Sequence, residues 1–325
     1  ENVSPHGIRQ GKLGDCYFIS SLIYVSKNIN NVKSLFHPKS SLKHGIVLIY
    51  FYLLGERIPV IVDTQIAYAT NKSSEPLFSK PRTNNDSCWF VLVEKAFAKA
   101  CGGYEFIESG ETHFGCHVLL NYFPQSLEKV QSIVINQDDD INISENELKE
   151  RIFHKFQSLL KEGALVGSSV SMKNFPDKTE DNFESEYGIV VSHAYQILDT
   201  REVGNRKFIM VRNPWGRFEY KGEYSKESPK WTEHLKKELN YTDNEDGSFW
   251  MTFDEYRYFF RSLSYCIPNQ SDWKVSTVCG CIDGYLDGRS PCSNSKHIGC
   301  IPQWTITFSR KTTVYLSYDC VGDES

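Results

Sequence analysis

The sequence predicts an α+β chain in which a helix-rich first part precedes a β-rich second part. Two observations carry this. Apolar residues recur at helical spacing after Cys16, Trp89 and Ser144, and beyond Gly163 the runs become short, β-branched and bounded by Gly, Asn, Asp or Pro. Phe18, Ile19, Leu22 and Ile23 share one helical face, and Gly14-Asp15 before them supplies a turn, so a helix opens at Cys16. Residues 46–54 and 58–63 read as a hairpin joined by Gly55-Glu56-Arg57, and 70–87, rich in Asn, Ser, Lys and Pro, as a surface loop. Trp89, Leu92, Val93, Ala96, Phe97 and Ala100 form the apolar stripe of an amphipathic helix, with Glu94, Lys95 and Lys99 among its other positions. Ser144 and Glu147 form a capping box ahead of a helix carrying Leu148, Ile152, Phe156, Leu159 and Leu160. Residues 164–171, 187–199, 207–212 and 248–253 then read as strands, and 304–308 and 312–318 as strands of a β-sandwich begun near the end of the chain.

Composition sets the outer limits. At roughly 150 residues per domain, 325 residues make about two domains. With 40% hydrophobic and 24% charged residues the chain is neither disordered nor fibrous. Its 36 Lys and Arg against 41 Asp and Glu leave a net charge of −5, the wrong sign for a dedicated nucleic-acid binder. The longest apolar run, 45–54, is about half what a membrane-spanning helix needs, so no transmembrane segment is expected. The polar opening residues carry no secretory signal and do not begin with Met, and the chain reads as an excised fragment. Ten cysteines invite a disulfide reading, but a chain of this size needs no staples, so reduced thiols and a cytoplasmic location are expected. Cys279, Cys281, Cys292, Cys300 and Cys320 lack the paired spacing of a zinc site. The acidic run Asp138 to Asp140 reads as a solvated loop.

One cysteine stands apart by its surroundings, Gln10-Gly11-Lys12-Leu13-Gly14-Asp15-Cys16-Tyr17-Phe18. A thiol at a helix N-terminus sits at the positive end of the helix dipole, which favours the nucleophilic thiolate. The glycines admit close approach of a substrate backbone, and the Gln10 amide is placed to donate to a developing oxyanion. Such a nucleophile needs a base, and the base a group that holds its ring. His193, in the strand-like run from Gly188 to Leu198, and Asn213, after a second such run, supply both if neighbouring strands bring them to one sheet end. The order Cys, a distant His, then Asn 20 residues later is that of papain-like cysteine proteases.

At these residues the chain resembles the calpains. Residues 10–22 are similar to their active-site segment, 191–198 to their histidine strand, and Arg212-Asn213-Pro214-Trp215-Gly216 to their Asn-Pro-Trp-Gly segment. Residues 89–105 and Asp246-Gly247-Ser248-Phe249-Trp250-Met251 also follow the family pattern, and Pro302-Gln303-Trp304 with Thr313-Val314-Tyr315-Leu316 do so more weakly. The resemblance implies a two-lobed papain-like core: a first lobe over 1–125 with the nucleophile, a second over 126–268 with His and Asn, and the beginning of a β-sandwich over 269–325. It implies Cys16 as nucleophile, His193 as base, Asn213 as its orienter, Gln10 as oxyanion donor and Trp215 as cover of the His–Asn hydrogen bond. The activity implied is an intracellular endopeptidase of limited, regulatory proteolysis, acting on protein or peptide substrates through a thioester, with regulatory domains outside this fragment. Two alternatives stand beside it: a catalytically silent calpain-like interaction module, and an acyl-transfer enzyme such as a transglutaminase, which generally has Asp in place of the Asn.

Calpains also bind calcium within each lobe, and there the sequence departs. The first-lobe acids correspond to about Gly7 and to Ser87. In the second lobe Glu219, Asp246 and the Asn244 carbonyl remain as candidate ligands, but Lys226 and Ser248 occupy acidic positions. Calcium needs several oxygens, its charged ones above all, so this core is expected to bind it weakly or not at all. No cofactor is expected for the chemistry itself. Residues 242–253 do not restore an EF-hand, since they begin with Thr and end with Phe.

Overall fold

A computed structural model describes residues 3–40, 42–53, 56–68, 75–83, 87–127, 129–134, 143–216, 220–242 and 246–269. The expected β-sandwich and Asp138 to Asp140 lie outside them. Two hydrophobic cores organise the rest, one drawn from residues between Ile8 and Leu119 and the other from residues between Val130 and Leu263. Among the described residues no helix is long and apolar enough to cross a membrane.

The first core is built around a helix apolar on nearly every side. A short strand β1 (Ile8–Arg9) leads through a turn into α1 (Cys16–Val25), in which every residue after Cys16 is buried. A helix hydrophobic all round must be enclosed on all sides. α2 (Ile29–Leu35) is capped by Asn28, whose side chain accepts from the Asn30 amide at 2.9 Å. The hairpin β2 (Ile46–Leu53) and β3 (Glu56–Asp63) pairs in antiparallel register from Ile46↔Asp63 to Leu53↔Glu56, and Val47, Ile49 and Phe51 face inward at every second position. β4 (Lys80–Pro81) pairs with β1. α3 (Trp89–Cys101) ends at Gly102, whose φ of 103° supplies the left-handed stop. Phe97 of α3 stacks on Phe18 of α1 with centroids 4.2 Å apart and lies 5.7 Å from Phe51. α4 (Thr112–Leu120) crosses α1 so closely that a Cβ on Gly115 would stand 2.7 Å from Ser21 Oγ.

The second core lies against a six-stranded antiparallel sheet of order β5-β10-β6-β7-β8-β9. β5 (Phe123–Leu127) straddles the expected division at 125/126 and belongs wholly to this sheet. α5 (Glu145–Lys161) supplies Ile152, Phe153, Phe156 and Leu159 to the core. Only half of the expected capping box forms: Ser144 Oγ accepts from the Glu147 amide at 3.2 Å, while the Glu147 carboxylate binds Arg151 at 2.7 Å. β6 (Leu165–Ser169) follows. The run 187–199 is not one strand. α6 (Glu180–Tyr187) ends at Gly188 in the left-handed region, a loop carries Ile189, Val190 and Val191 inward, and β7 (Ala194–Val203) begins only after His193. β8 (Arg206–Arg212) and α7 (Glu233–Glu238) come next. β9 (Ser248–Thr252) turns directly into α8 (Phe253–Phe259), where Thr252 and Glu255 form a complete capping box, and β10 (Ser262–Ile267) closes the lobe.

Candidate active site

The turn that delivers Cys16 is fixed from outside. Residues 77–81 run beside it, with Leu77 accepting from the Lys12 amide at 3.2 Å and Arg9 paired to Lys80. Gly11 packs so tightly there that a Cβ would lie 1.8 Å from the Phe78 carbonyl oxygen. Only glycine fits that approach. Gln10 is buried; its Nε2 donates one hydrogen to Leu13 O at 2.7 Å, which leaves the second amide hydrogen for a ligand.

His193 arrives on the loop before β7, where Ser192 adopts a φ of 50° and its amide donates to Val170 O at 3.0 Å. Asn213 arrives at the end of β8, held by its own amide on Gly247 O at 2.9 Å. His193 Nε2 and Asn213 Oδ1 are 2.9 Å apart. An amide oxygen accepts only, so Nε2 carries the proton and Nδ1 keeps a lone pair. The same Oδ1 accepts from the Trp215 amide at 3.0 Å, and the Trp215 ring lies on His193 with centroids 4.7 Å apart at 43°. Both residues of the pair are buried.

The lobes meet at this point. The Gln10 amide donates to Pro214 O at 3.2 Å, and the Ala194 backbone reaches the Cys16 sulfur. Gln10, Cys16, His193 and Trp215 thus line one open cleft of about 510 Å³. The electrostatics differ from the sequence expectation of a thiolate. Burial pushes the Cys16 thiol up, against the opposing pull of the Ala194 backbone. Burial also lowers His193 to about 4, partly offset by Asn213. Burial thus opposes charge on both the Cys16 thiol and the His193 ring, against the pull of the helix terminus.

The calcium candidates are less well placed. Glu219 and Asn244 lie outside the described residues. Asp246 is fully buried and its oxygens are already engaged: Oδ1 accepts from the Ser248 amide at 3.0 Å and from the Ser248 hydroxyl, and Oδ2 pairs with His6 Nδ1. These hydrogen bonds and the nearby Arg212 guanidinium outweigh its burial and hold its carboxyl well below the usual range. Gly7 and Ser87 bring no carboxylate. Among the described residues no group of three or more His, Cys, Asp or Glu side chains could hold a metal ion. The described set does not fit calcium.

The sequence model of the calpain family cysteine proteases matches residues 1–267. The chain belongs to the calpain family. Its relatives include the calpain-type cysteine protease DEK1 of Zea mays, 29% identical over 316 residues, which are 97% of this chain and 14% of that protein. Calpain-5 of Caenorhabditis elegans is 26% identical over 82% of this chain and 44% of its own length. The Mus musculus calpain-2 catalytic subunit is 28% identical over 84% of this chain and 38% of its own. The chain thus spans less than half of each of these relatives. As a calpain core it is α+β: among the described residues four α-helices precede the six-stranded sheet and four more lie between its first and last strands. What the sequence did not show is how the lobes of this calpain core are joined. His6 and Asp246 are 240 residues apart, and no local pattern announces their contact.

Proposed function

We propose that this calpain core is a cysteine endopeptidase that makes limited cuts in cytoplasmic protein substrates through a thioester acyl-enzyme. The observation that carries the reading is the His193 Nε2–Asn213 Oδ1 contact at 2.9 Å beside a cleft that also receives Cys16 and Gln10. Cys16 Sγ attacks the scissile carbonyl while its proton passes to His193 Nδ1, the nitrogen that Asn213 leaves free. Gln10 Nε2 and the Cys16 amide hold the oxyanion. Collapse forms the thioester and expels the amine, which takes the proton from His193. Water, deprotonated by His193, then releases the acid and restores the thiol. Burial disfavours charge on either group alone, so proton transfer accompanies attack. Trp215 keeps water from the His–Asn bond.

We also propose that this core aligns without calcium in its lobes. The engagement of Asp246 by His6 and Ser248, and the absence of carboxylates at positions 7 and 87, support this. One assay tests both statements: hydrolysis of casein or a fluorogenic peptide by wild type and Cys16→Ala, each with calcium and with a chelator. Cys16→Ala is expected to abolish turnover and labelling by a thiol-directed epoxide, with wild type indifferent to the chelator. Absence of wild-type turnover would favour a silent interaction module, and a sharp dependence on micromolar calcium would overturn the second statement alone.

A further inference from the structure

Directly beneath the nucleophile lies an ionisable pair that the reaction does not use. Asp15, the residue before Cys16, has no exposed surface, and neither has Glu94 of α3. The Glu94 carboxylate is well supplied with donors. Its Oε2 accepts from the Ser79 hydroxyl at 2.5 Å and from the Ser79 amide at 2.9 Å, and its Oε1 lies 3.1 Å from that amide. Asp15 has no such supply: neither side-chain oxygen makes a well-formed hydrogen bond to another residue, and only its own backbone amide pulls its carboxyl down. The group it meets is the Glu94 carboxylate. Two carboxylates in contact in a dry interior cannot both ionise, and one proton shared between them removes the conflict.

The donors decide where that proton rests. Hydrogen bonds from Ser79 to Glu94 favour its anion, while Asp15, with only its own backbone amide to draw on, is the better acid form. Burial, and then the Glu94 charge, hold the Asp15 carboxyl well above the usual range; burial raises Glu94 too, against the pull of Ser79 and Asp15. We propose that Asp15 is a neutral carboxylic acid that donates its proton to Glu94, and that the pair is a positioning device for Cys16.

The device has two parts. Mechanically, it ties the first residue before α1 to α3 and, through Ser79, to the segment that also holds the Lys12 amide and pairs with Arg9. Electrically, it keeps a negative charge off the residue next to the sulfur on which charge develops. That second part rests on Cys16 being the nucleophile proposed above; the protonation state does not. The other ionisable groups facing the pair or Cys16 are Tyr17, Tyr104 and Glu108; burial raises both tyrosines, and the Asp15 side adds to each. Glu108 is the one further acid that adds to the rise of Asp15.

Isosteric variants separate the possibilities. Asp15→Asn keeps a donor toward Glu94, whereas Glu94→Gln keeps the Ser79 contacts but moves the negative charge onto Asp15. Difference infrared spectra at pH 7, with ¹³C-aspartate labelling, are expected to show a protonated carboxyl band that shifts with the label and is absent from Asp15→Asn. The pH midpoint for alkylation of Cys16 by iodoacetamide is expected to hold in Asp15→Asn and to rise by about one unit in Glu94→Gln. A wild-type spectrum without the labelled acid band would overturn the proposal, even if a variant failed to fold. So would a midpoint lowered by about one unit in Asp15→Asn, since that is the response to removing an ionised neighbour. If Cys16 resists alkylation in every form, the nucleophile assignment fails while the infrared band still decides the proton.

Discussion

Gly11→Ala should disable the site without touching any group that reacts. The added Cβ would stand 1.8 Å from the Phe78 carbonyl oxygen, 2.3 Å from its carbon and 2.7 Å from Leu77 O, all backbone atoms that no rotamer change can move. Phe78 is itself anchored by stacking on Tyr104 at 3.6 Å. Restoring a tolerable contact of 3.0 Å means a retreat of about 1.2 Å, and because Lys12 is bonded to Leu77, the turn carrying Gln10 and Cys16 must take up much of it. Overpacking of this kind costs about 1–3 kcal/mol, and a misplacement of about 1 Å at reacting groups costs on the order of 10²-fold in rate. The measurement is kcat/KM for peptide hydrolysis alongside the thermal midpoint. Gly204→Ala serves as control: nothing lies within 4 Å of its Cβ position, and its φ of 61° exposes it only to turn strain of about 1–2 kcal/mol. It is expected to lose some stability and no activity. Wild-type kcat/KM in a folded Gly11→Ala would refute the reasoning.

Asn213→Ala removes the acceptor of both His193 Nε2 and the Trp215 amide; kcat/KM is expected to fall on the order of 10²-fold and stability by about 1–3 kcal/mol, and an unchanged kcat/KM would show that the ring is held by other means. The acid limb of kcat/KM should lie near pH 4, where burial has brought His193, because protonation below that pH removes the base. The same shift acts on stability with a definite sign. His193 binds its proton more weakly folded than unfolded, so stability is complete above about pH 6.5 and falls as pH drops from there toward 4, by on the order of 3 kcal/mol in all. Urea denaturation between pH 4 and 7 checks this, and His193→Gln should flatten the dependence.

How far the sequence revealed the fold depended on whether burial and local pattern agreed. The β2–β3 hairpin was legible because Val47, Ile49 and Phe51 alternate inward, whereas α1 and α3 were found from one apolar stripe although burial runs beyond it, to Ser20 and Ser21 in α1 and to Glu94 in α3. The run 187–199 misled because Ile189, Val190 and Val191 are apolar for a different reason: they plug the core from a loop, and the break at Ser192 with its φ of 50° leaves no mark in a string of β-branched residues. In α8 the aromatic residues favour a strand, but Thr252 and Glu255 cap a helix, and the cap prevails. At the site, the candidates Cys16, Gln10, His193 and Asn213 were named from residue type, spacing and order. The desolvation of Cys16 was not legible, because a helix terminus is visible in a sequence and the burial that opposes it is not. Nor was the bond between His6 and Asp246, which joins residues 240 positions apart.

The order of strands in the sheet bears on when a ribosome-bound chain completes its fold. β10, the last described strand to be synthesised, is not at the margin; it lies between β5 and β6 and is the partner through which Phe123–Leu127 joins the sheet. Cys16, His193 and Asn213 have all emerged well before it. Until residues 262–267 follow, the sheet that presents His193 has a gap where an interior member belongs, so the second core is completed only after both His193 and Asn213 have been made.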